Sequence, residues 1–179
     1  MSGTVRALII GRFQPFHLGH LHVVREVAPW AEEVIFGVAA ATDSFQAENP
    51  FTAGERSEMI AVAMREAGIE RYRVVAIPDI HNHAIWAQYV VSMCPPFDVV
   101  VAHNPVTLEL FRNEGHEVRA VAHYRRRSYS GTHVRAVMAK GGRWQELVPP
   151  AVAAYIRSID GDGRVRRMAE RAPVRRGAS

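Results

Sequence analysis

The chain has 179 residues, 48% of them hydrophobic and 22% charged, with a formal net charge of +4. That is enough for one domain with its own core, and it excludes neither an enzyme nor a binding module. No apolar run reaches the roughly 20 residues of a membrane span, no cationic start precedes a long apolar stretch of signal-peptide type, and the single cysteine, Cys94, excludes an internal disulfide framework; the expectation is a cytoplasmic protein without a membrane partner.

The first strand is expected over Val5–Ile10, a largely apolar run suited to a buried parallel sheet. Gly11-Arg12-Phe13-Gln14-Pro15-Phe16-His17-Leu18-Gly19-His20 follows, and a helix continues through Leu21 to Ala28. A helix start offers free backbone N–H groups and the positive end of a dipole, which is a ready phosphate site. His17 and His20 stand three residues apart and so share one face of the first turn. A His-x-x-His pair alone is commonplace. The strand before it, Gly19 inside it and Arg12 ahead of it point to apparatus for a nucleoside triphosphate.

Further strands are expected at Val34–Ala40, Arg73–Ile77, Val99–Ala102 and Glu117–Ala122. Thr52-Ala53-Gly54-Glu55 is a capping box that opens a helix running to about Ala67, and Ala84–Met93 and Pro105–Asn113 read as helices. This alternation predicts an α/β, Rossmann-like, doubly wound parallel sheet with right-handed crossovers and a short helical C-terminal extension. Ligands in such sheets bind beyond the carboxyl ends of the strands, where strand order reverses, and Arg12 to His20 fall there. Neither a Gly-x-Gly-x-x-Gly fingerprint nor a P-loop is present.

After the last strand comes Arg125-Arg126-Arg127-Ser128-Tyr129-Ser130-Gly131-Thr132-His133-Val134-Arg135. Ser130 or Thr132 caps a further helix there, giving a second phosphate-binding start. Arg135, one turn in, carries a fork that suits phosphate oxygens. Two such starts match the two ends of a triphosphate. Residues 1–168 are read as one domain and 169–179 as a basic, flexible tail. No aromatic residue interleaves the arginines of that tail, so a nucleic-acid partner is not expected. Cys94, before Pro95-Pro96, reads as a buried, inert thiol.

His17-Leu18-Gly19-His20 and Ser130-Gly131-Thr132-His133-Val134-Arg135 resemble the His-x-Gly-His and Ser-Gly-Thr-x-x-Arg marks of the nucleotidylyltransferase superfamily. Asn49-Pro50-Phe51-Thr52-Ala53-Gly54-Glu55-Arg56, Pro95-Pro96-Phe97-Asp98, Asn104-Pro105 and Trp144 with Leu147-Val148-Pro149 extend the likeness, from about Val5 to Arg167, to the archaeal-type nicotinamide mononucleotide (NMN) adenylyltransferase family. The resemblance implies Mg²⁺ as cofactor, without a named protein ligand, and a homo-oligomer. It implies His17, His20 and Arg12 as catalytic residues. It places Gly11, Phe13, Gln14, Gly19, Asn104, Ser130, Gly131, Thr132 and Arg135 at the nucleotide, and Asp79, His83 and Trp86 at a small anionic acceptor.

The chain departs from that family around the acceptor. Val38 to Phe45 replaces a Gly-Ser-Ala-Gln-x-Ser-His segment, His83 stands where the family has an Asn that reads the nicotinamide amide, and Val101-Ala102-His103 replaces Tyr-Ser-Gly. An imidazole lacks the paired donor and acceptor that a carboxamide needs and favours a compact anion instead. Arg125, Arg126 and Arg127 are expected to add positive potential at the mouth. The favoured expectation is therefore a CTP-dependent cytidylyltransferase that activates a small phosphonate such as phosphonoformate, in antibiotic biosynthesis. The second is an NMN adenylyltransferase making NAD from ATP and NMN. A regulatory sensor or RNA-binding module is a third class, disfavoured because both central histidines are intact.

Overall fold

The computed structural model describes residues 5–122, 124–125 and 127–171. Five strands, β1 (Arg6–Gly11), β2 (Glu33–Val38), β3 (Tyr72–Ala76), β4 (Val99–Ala102) and β5 (Glu117–Ala120), form one parallel sheet in the order β3-β2-β1-β4-β5. Their carboxyl ends are level, since Gly11 pairs with Val38, Val38 with Ala76 and Ala102 with Ala120. Strand order reverses between β1 and β4, and the expected α/β doubly wound fold is what the chain adopts.

Side chains alternate across the sheet and define two cores. Ala7, Ile9, Val34, Phe36, Val99 and Val101 join the larger one, and Leu8, Ile35 and Val100 join the smaller. Helices α1 (Leu18–Val27) and α2 (Ala53–Ala67) supply buried residues to the first, as do α5 (Gly131–Ala139), α6 (Pro150–Ser158) and α7 (Gly161–Arg171). Helices α3 (His83–Met93) and α4 (Pro105–Asn113) supply the second. Local chemistry sets several ends. Thr52 and Glu55 close the capping box of α2 reciprocally, and Gly68, at φ +69°, ends that helix in the left-handed conformation. Asn104 caps α4, with Pro105 at its first turn.

A 3₁₀ turn (Trp144–Leu147) and α6 and α7 make the C-terminal extension. Helix α7 runs to Arg171, so residues 169–171, assigned to the tail from sequence, are helical; 172–179 lie outside the described residues. No helix among the described residues is long and apolar enough to cross a membrane. Cys94 is half-buried, and burial pushes its thiol up to about 11.

One buried cation holds the site's floor. Arg56 is fully buried. It donates to the carbonyl oxygens of Arg12 (2.9 Å), Ala39 (2.8 Å), Ala40 (3.0 Å) and Thr52 (3.2 Å). Phe13 and Ala40 sit beside these carbonyls at φ +50° and +49°, conformations that cost a non-glycine residue roughly 1–3 kcal/mol each. The guanidinium thus pins the ends of β1 and β2 in shapes the chain would otherwise leave.

The extension is tied back by Arg164, which donates to both oxygens of Glu55 at 2.6 and 2.8 Å, with both side chains mostly buried. Burial pushes the Glu55 carboxyl up, but hydrogen bonds from Arg164 and Thr52 outweigh it and hold the group below its ordinary value. A carboxyl held down in the fold contributes stability above its unfolded pKa, and that contribution is lost as pH falls through the folded value. Arg164→Met should therefore lower stability by roughly 1–3 kcal/mol at neutral pH and by less under acid conditions, read from urea midpoints. A difference that does not change with pH would assign the loss to packing instead of the ion pair.

Candidate active site

The first βα turn carries an N-cap built from two histidines. His17 caps α1 as Nδ1 accepts from the backbone N–H of His20 at 3.3 Å, and Nδ1 of His20 accepts from the N–H of His17 at 3.2 Å. A ring nitrogen that accepts a hydrogen bond carries no proton, so both rings are neutral with the proton on Nε2. The rings stack at 3.6 Å with 20° between planes. His17 is buried, and burial, then His103 and Arg135, lower its pKa to about 3. His20 is held well below its ordinary value by burial, then by His17 and His103. Its ring also packs on Phe13 and Phe16. Gly19 is required here, since a Cβ would meet the His17 ring at 3.0 Å and the Tyr129 carbonyl at 3.1 Å.

The last βα turn faces this one. Ser130, not Thr132, caps α5 by accepting from His133 N–H at 3.2 Å. Buried Arg135 donates to the Gln14 carbonyl at 2.7 Å, with burial lowering its pKa to about 10. Gly131 permits this approach, because a Cβ would meet that carbonyl at 2.9 Å. The two turns enclose a cavity of about 240 Å³. Arg12, His17, Gly19 and His20 line one side; Ser130, Gly131, Thr132 and Arg135 line the other. Phe13 and Gln14 also border it.

Two expected roles change. The Gln14 amide is buried and engaged at both ends, donating to the Phe51 carbonyl at 2.8 Å and accepting from Phe51 N–H at 3.0 Å, so it clamps the loop and is not offered to a nucleotide. Arg135 is likewise not a free fork, since Nη1 is held by Gln14. Arg125 and Arg127 are exposed and do not line this cavity, and Arg126 lies outside the described residues.

A second cavity, of about 340 Å³, opens on the far side of Arg12. It brings together Asp79, His83 and Trp86, together with Asn104, Gly11 and Thr107. Asp79 accepts from His81 N–H at 2.8 Å, and Trp86 packs edge-on against Phe111 at 5.9 Å. His83 begins α3 after the Asn82 cap and is exposed. Asn104 and Gly11 border this cavity and also a smaller one that shares Phe13, His20 and His103 with the cavity between the two turns.

His103, Tyr124 and Tyr129 also line the cavity between the turns and were not among the expected site residues. Tyr124 stacks between His22 (4.1 Å) and Tyr129 (5.6 Å). For His103 a signal was available: it directly follows β4, at the switch point. The tyrosines carried none, because nothing local brings residue 124 to α1.

The cytidylyltransferase-like family profile matches residues 8–137. Nicotinamide-nucleotide adenylyltransferases of Methanolobus tindarius and Methanothrix thermoacetophila are 44% and 45% identical to the chain, over 90% and 93% of it and 92% and 97% of their own lengths. Among solved structures, the fold is shared with a bifunctional NMN adenylyltransferase/ADP ribose pyrophosphatase of Francisella tularensis, complexed with AMP and a manganese ion. The TM-score is 0.77 at 18% identity, over 94% of this chain and 52% of that one, so the chain spans about half its length. On this sequence likeness the chain belongs to the cytidylyltransferase-like family and is a nucleotidyltransferase.

Proposed function

We propose that the chain transfers the adenylyl group of ATP to the phosphate of NMN, giving NAD and pyrophosphate. The observation that carries this reading is the position of Arg12, an exposed guanidinium on the wall of both cavities. One cavity is lined by two helix starts and N–H donors, as a polyphosphate requires. The other offers the Trp86 ring and polar groups, as an aromatic mononucleotide requires. The relatives' name supports NMN as acceptor and ATP as donor. It turns the reading away from the CTP and phosphonate pair favoured from the sequence.

In this reaction an oxygen of the acceptor phosphate forms a bond to the α-phosphorus. The bond from that phosphorus to the bridging oxygen breaks, and pyrophosphate leaves with the electron pair. No covalent enzyme intermediate is needed; alignment and charge stabilisation suffice. Arg12 would touch both phosphates and hold them in line. His17 and His20 would donate from Nε2 to oxygens that gain charge. The first turns of α1 and α5 add backbone N–H groups, and Arg135 fixes one turn against the other.

Among the described residues the expected Mg²⁺ has no protein cradle. The wall of the polyphosphate cavity carries imidazoles, guanidinium groups and hydroxyls but no carboxylate, and no cluster of three or more His, Cys, Asp or Glu among the described residues has metal-holding geometry. The residues present do not fit a protein-held magnesium ion. Such an ion would enter on the triphosphate.

Pyrophosphate release from a matrix of ATP, CTP, GTP and UTP against NMN, nicotinate mononucleotide and small phosphonates tests the assignment. ATP with NMN should give the largest kcat/KM, and His83→Asn should change KM for the acceptor more than for ATP. Turnover with CTP and a phosphonate alone would overturn the reading. His17→Ala also removes a helix cap, worth about 1 kcal/mol, so His17→Asn is the cleaner variant. It and His20→Ala should lose roughly 10²–10³-fold in kcat with a nearly unchanged melting temperature; unfolding would make the pair structural.

The neutral histidines also set an acid limit. Their folded pKa values lie below the ordinary 6.5, with His17 near 3. Between these values the unfolded chain binds protons that the fold refuses, so stability is full above about 6.5 and falls as pH drops toward 3. His17→Asn should flatten that fall in urea midpoints taken at pH 7.5 and 5; an unchanged slope would place the acid sensitivity elsewhere.

A further inference from the structure

The acceptor cavity carries two side chains of opposite charge, Arg12 and Asp79. Both stand on the wall of one space, yet among the described residues they form no ion pair with each other. Arg12 also lines the polyphosphate cavity and so marks the end nearest the donor. Asp79 lines the acceptor cavity and not the polyphosphate cavity. Apart from the exposed His83 imidazole, the rest of the wall is amide, hydroxyl, indole, aliphatic and backbone.

Asp79 follows β3 in the loop that leads to α3. Its Oδ1 accepts from the backbone N–H of His81 at 2.8 Å, and the exposed His81 ring lies 3.7 Å from the same oxygen. The turn thus anchors the carboxylate through one oxygen. A ligand that matches this wall is negative at the Arg12 end and positive at the Asp79 end. A compact polyanion, such as a small phosphonate, finds a partner in Arg12 and is repelled by Asp79. A mononucleotide whose base is a pyridinium matches both, phosphate to Arg12 and ring to Asp79, with the ribose supplying the separation. Trp86 stands on the same wall, and tryptophan is the aromatic side chain that attracts a cation best.

We propose that Asp79 and Trp86 form a cation subsite that reads the positive charge of the acceptor ring. The enzyme then prefers a pyridinium mononucleotide to an uncharged isostere, and to one that carries an added carboxylate. The proposal rests on the reading of NMN as acceptor and adds what the cavity recognises in it. Asp79 is a specificity residue: it meets the ring, at the end of the acceptor remote from its phosphate, and leaves the reacting phosphorus to Arg12, His17 and His20. Its side chain is 38% exposed, so the attraction is partly screened by water and weakens as salt is added.

The test is pyrophosphate release at saturating ATP with three acceptors: NMN, nicotinate mononucleotide, and benzamide riboside 5′-monophosphate, in which carbon replaces the charged ring nitrogen. For wild-type protein kcat/KM with NMN should exceed that with each of the others by roughly 5- to 50-fold. The advantage over the uncharged analogue should shrink between about 0.05 and 0.5 M salt, since the phosphate is common to both and cancels in the ratio. Asp79→Asn keeps an oxygen for the His81 N–H and loses the charge. It should lower both ratios toward 1 through KM for NMN, with KM for ATP unchanged, and Asp79→Glu should retain the preference. The analogue and salt comparisons need wild-type protein alone and decide the matter if a variant does not fold. Equal kcat/KM for NMN and the uncharged analogue, or a preference unchanged by salt or by Asp79→Asn, overturns the proposal and leaves NMN as the acceptor. No turnover with ATP and any of the three overturns the acceptor reading with it.

Discussion

Arg135 donates to the carbonyl oxygen of Gln14 across 121 residues of chain, and that bond ties together the two turns that line the first cavity. It pulls the start of α5 against the first βα turn, so that two helix N-termini confront one space. Gln14 in turn is held by Phe51 through both ends of its amide. Arg56 then secures the other side of the same turn through the Arg12 carbonyl. The turn between β1 and α1 is therefore gripped from three directions, which suits the role proposed for it, holding Arg12 and the stacked histidines in fixed relation to a reacting phosphorus.

Residue type and local spacing were enough to anticipate much of this. The His17 and His20 pair, the Ser130 cap, the α2 capping box and the alternation of strands and helices are signals confined to one element or one turn. What stayed hidden depends on partners far along the chain. An exposed-looking glutamine in a loop gives no sign that Phe51, 37 residues on, consumes its amide. An arginine one turn into a helix looks like a phosphate fork until a carbonyl from the opposite end of the chain is found on it. The Nδ1 of His103 meets the Val121 carbonyl oxygen, 18 residues on, and that contact is not encoded in its neighbours.

The acceptor shows the same limit from another side. The replacement of a family Asn by His83 suggested a compact anionic substrate. In the structure His83 is exposed at the first turn of α3, while Trp86, Asp79 and Arg12 border the same cavity from other directions. A change at an exposed rim position alters one contact. It does not reshape a cavity of about 340 Å³ whose aromatic wall is intact. The relatives, at 44% and 45% identity over nine-tenths of the chain, support the acceptor proposed above in spite of His83 and the other departures around it.

The charge inventory of the site explains why histidines and arginines divide the work. Arg56 and Arg135 are buried cations that donate to carbonyl oxygens, and the negative charges of Asp43 and Glu48 favour their protonated forms. Burial, with a smaller contribution from the Arg12 charge and an opposing one from the carboxylates, lowers both pKa values to about 10, so Arg56 and Arg135 stay charged at neutral pH. On the proposed reading, that positive field, only partly offset by Asp43 and Glu48, attracts an anion. Two protonated imidazoles added to it would raise the repulsion further, and burial keeps His17 and His20 neutral. Long-range attraction thus belongs to the arginines. On the proposed reading, short-range stabilisation belongs to neutral N–H donors, which need no counter-ion before the triphosphate arrives or after pyrophosphate leaves.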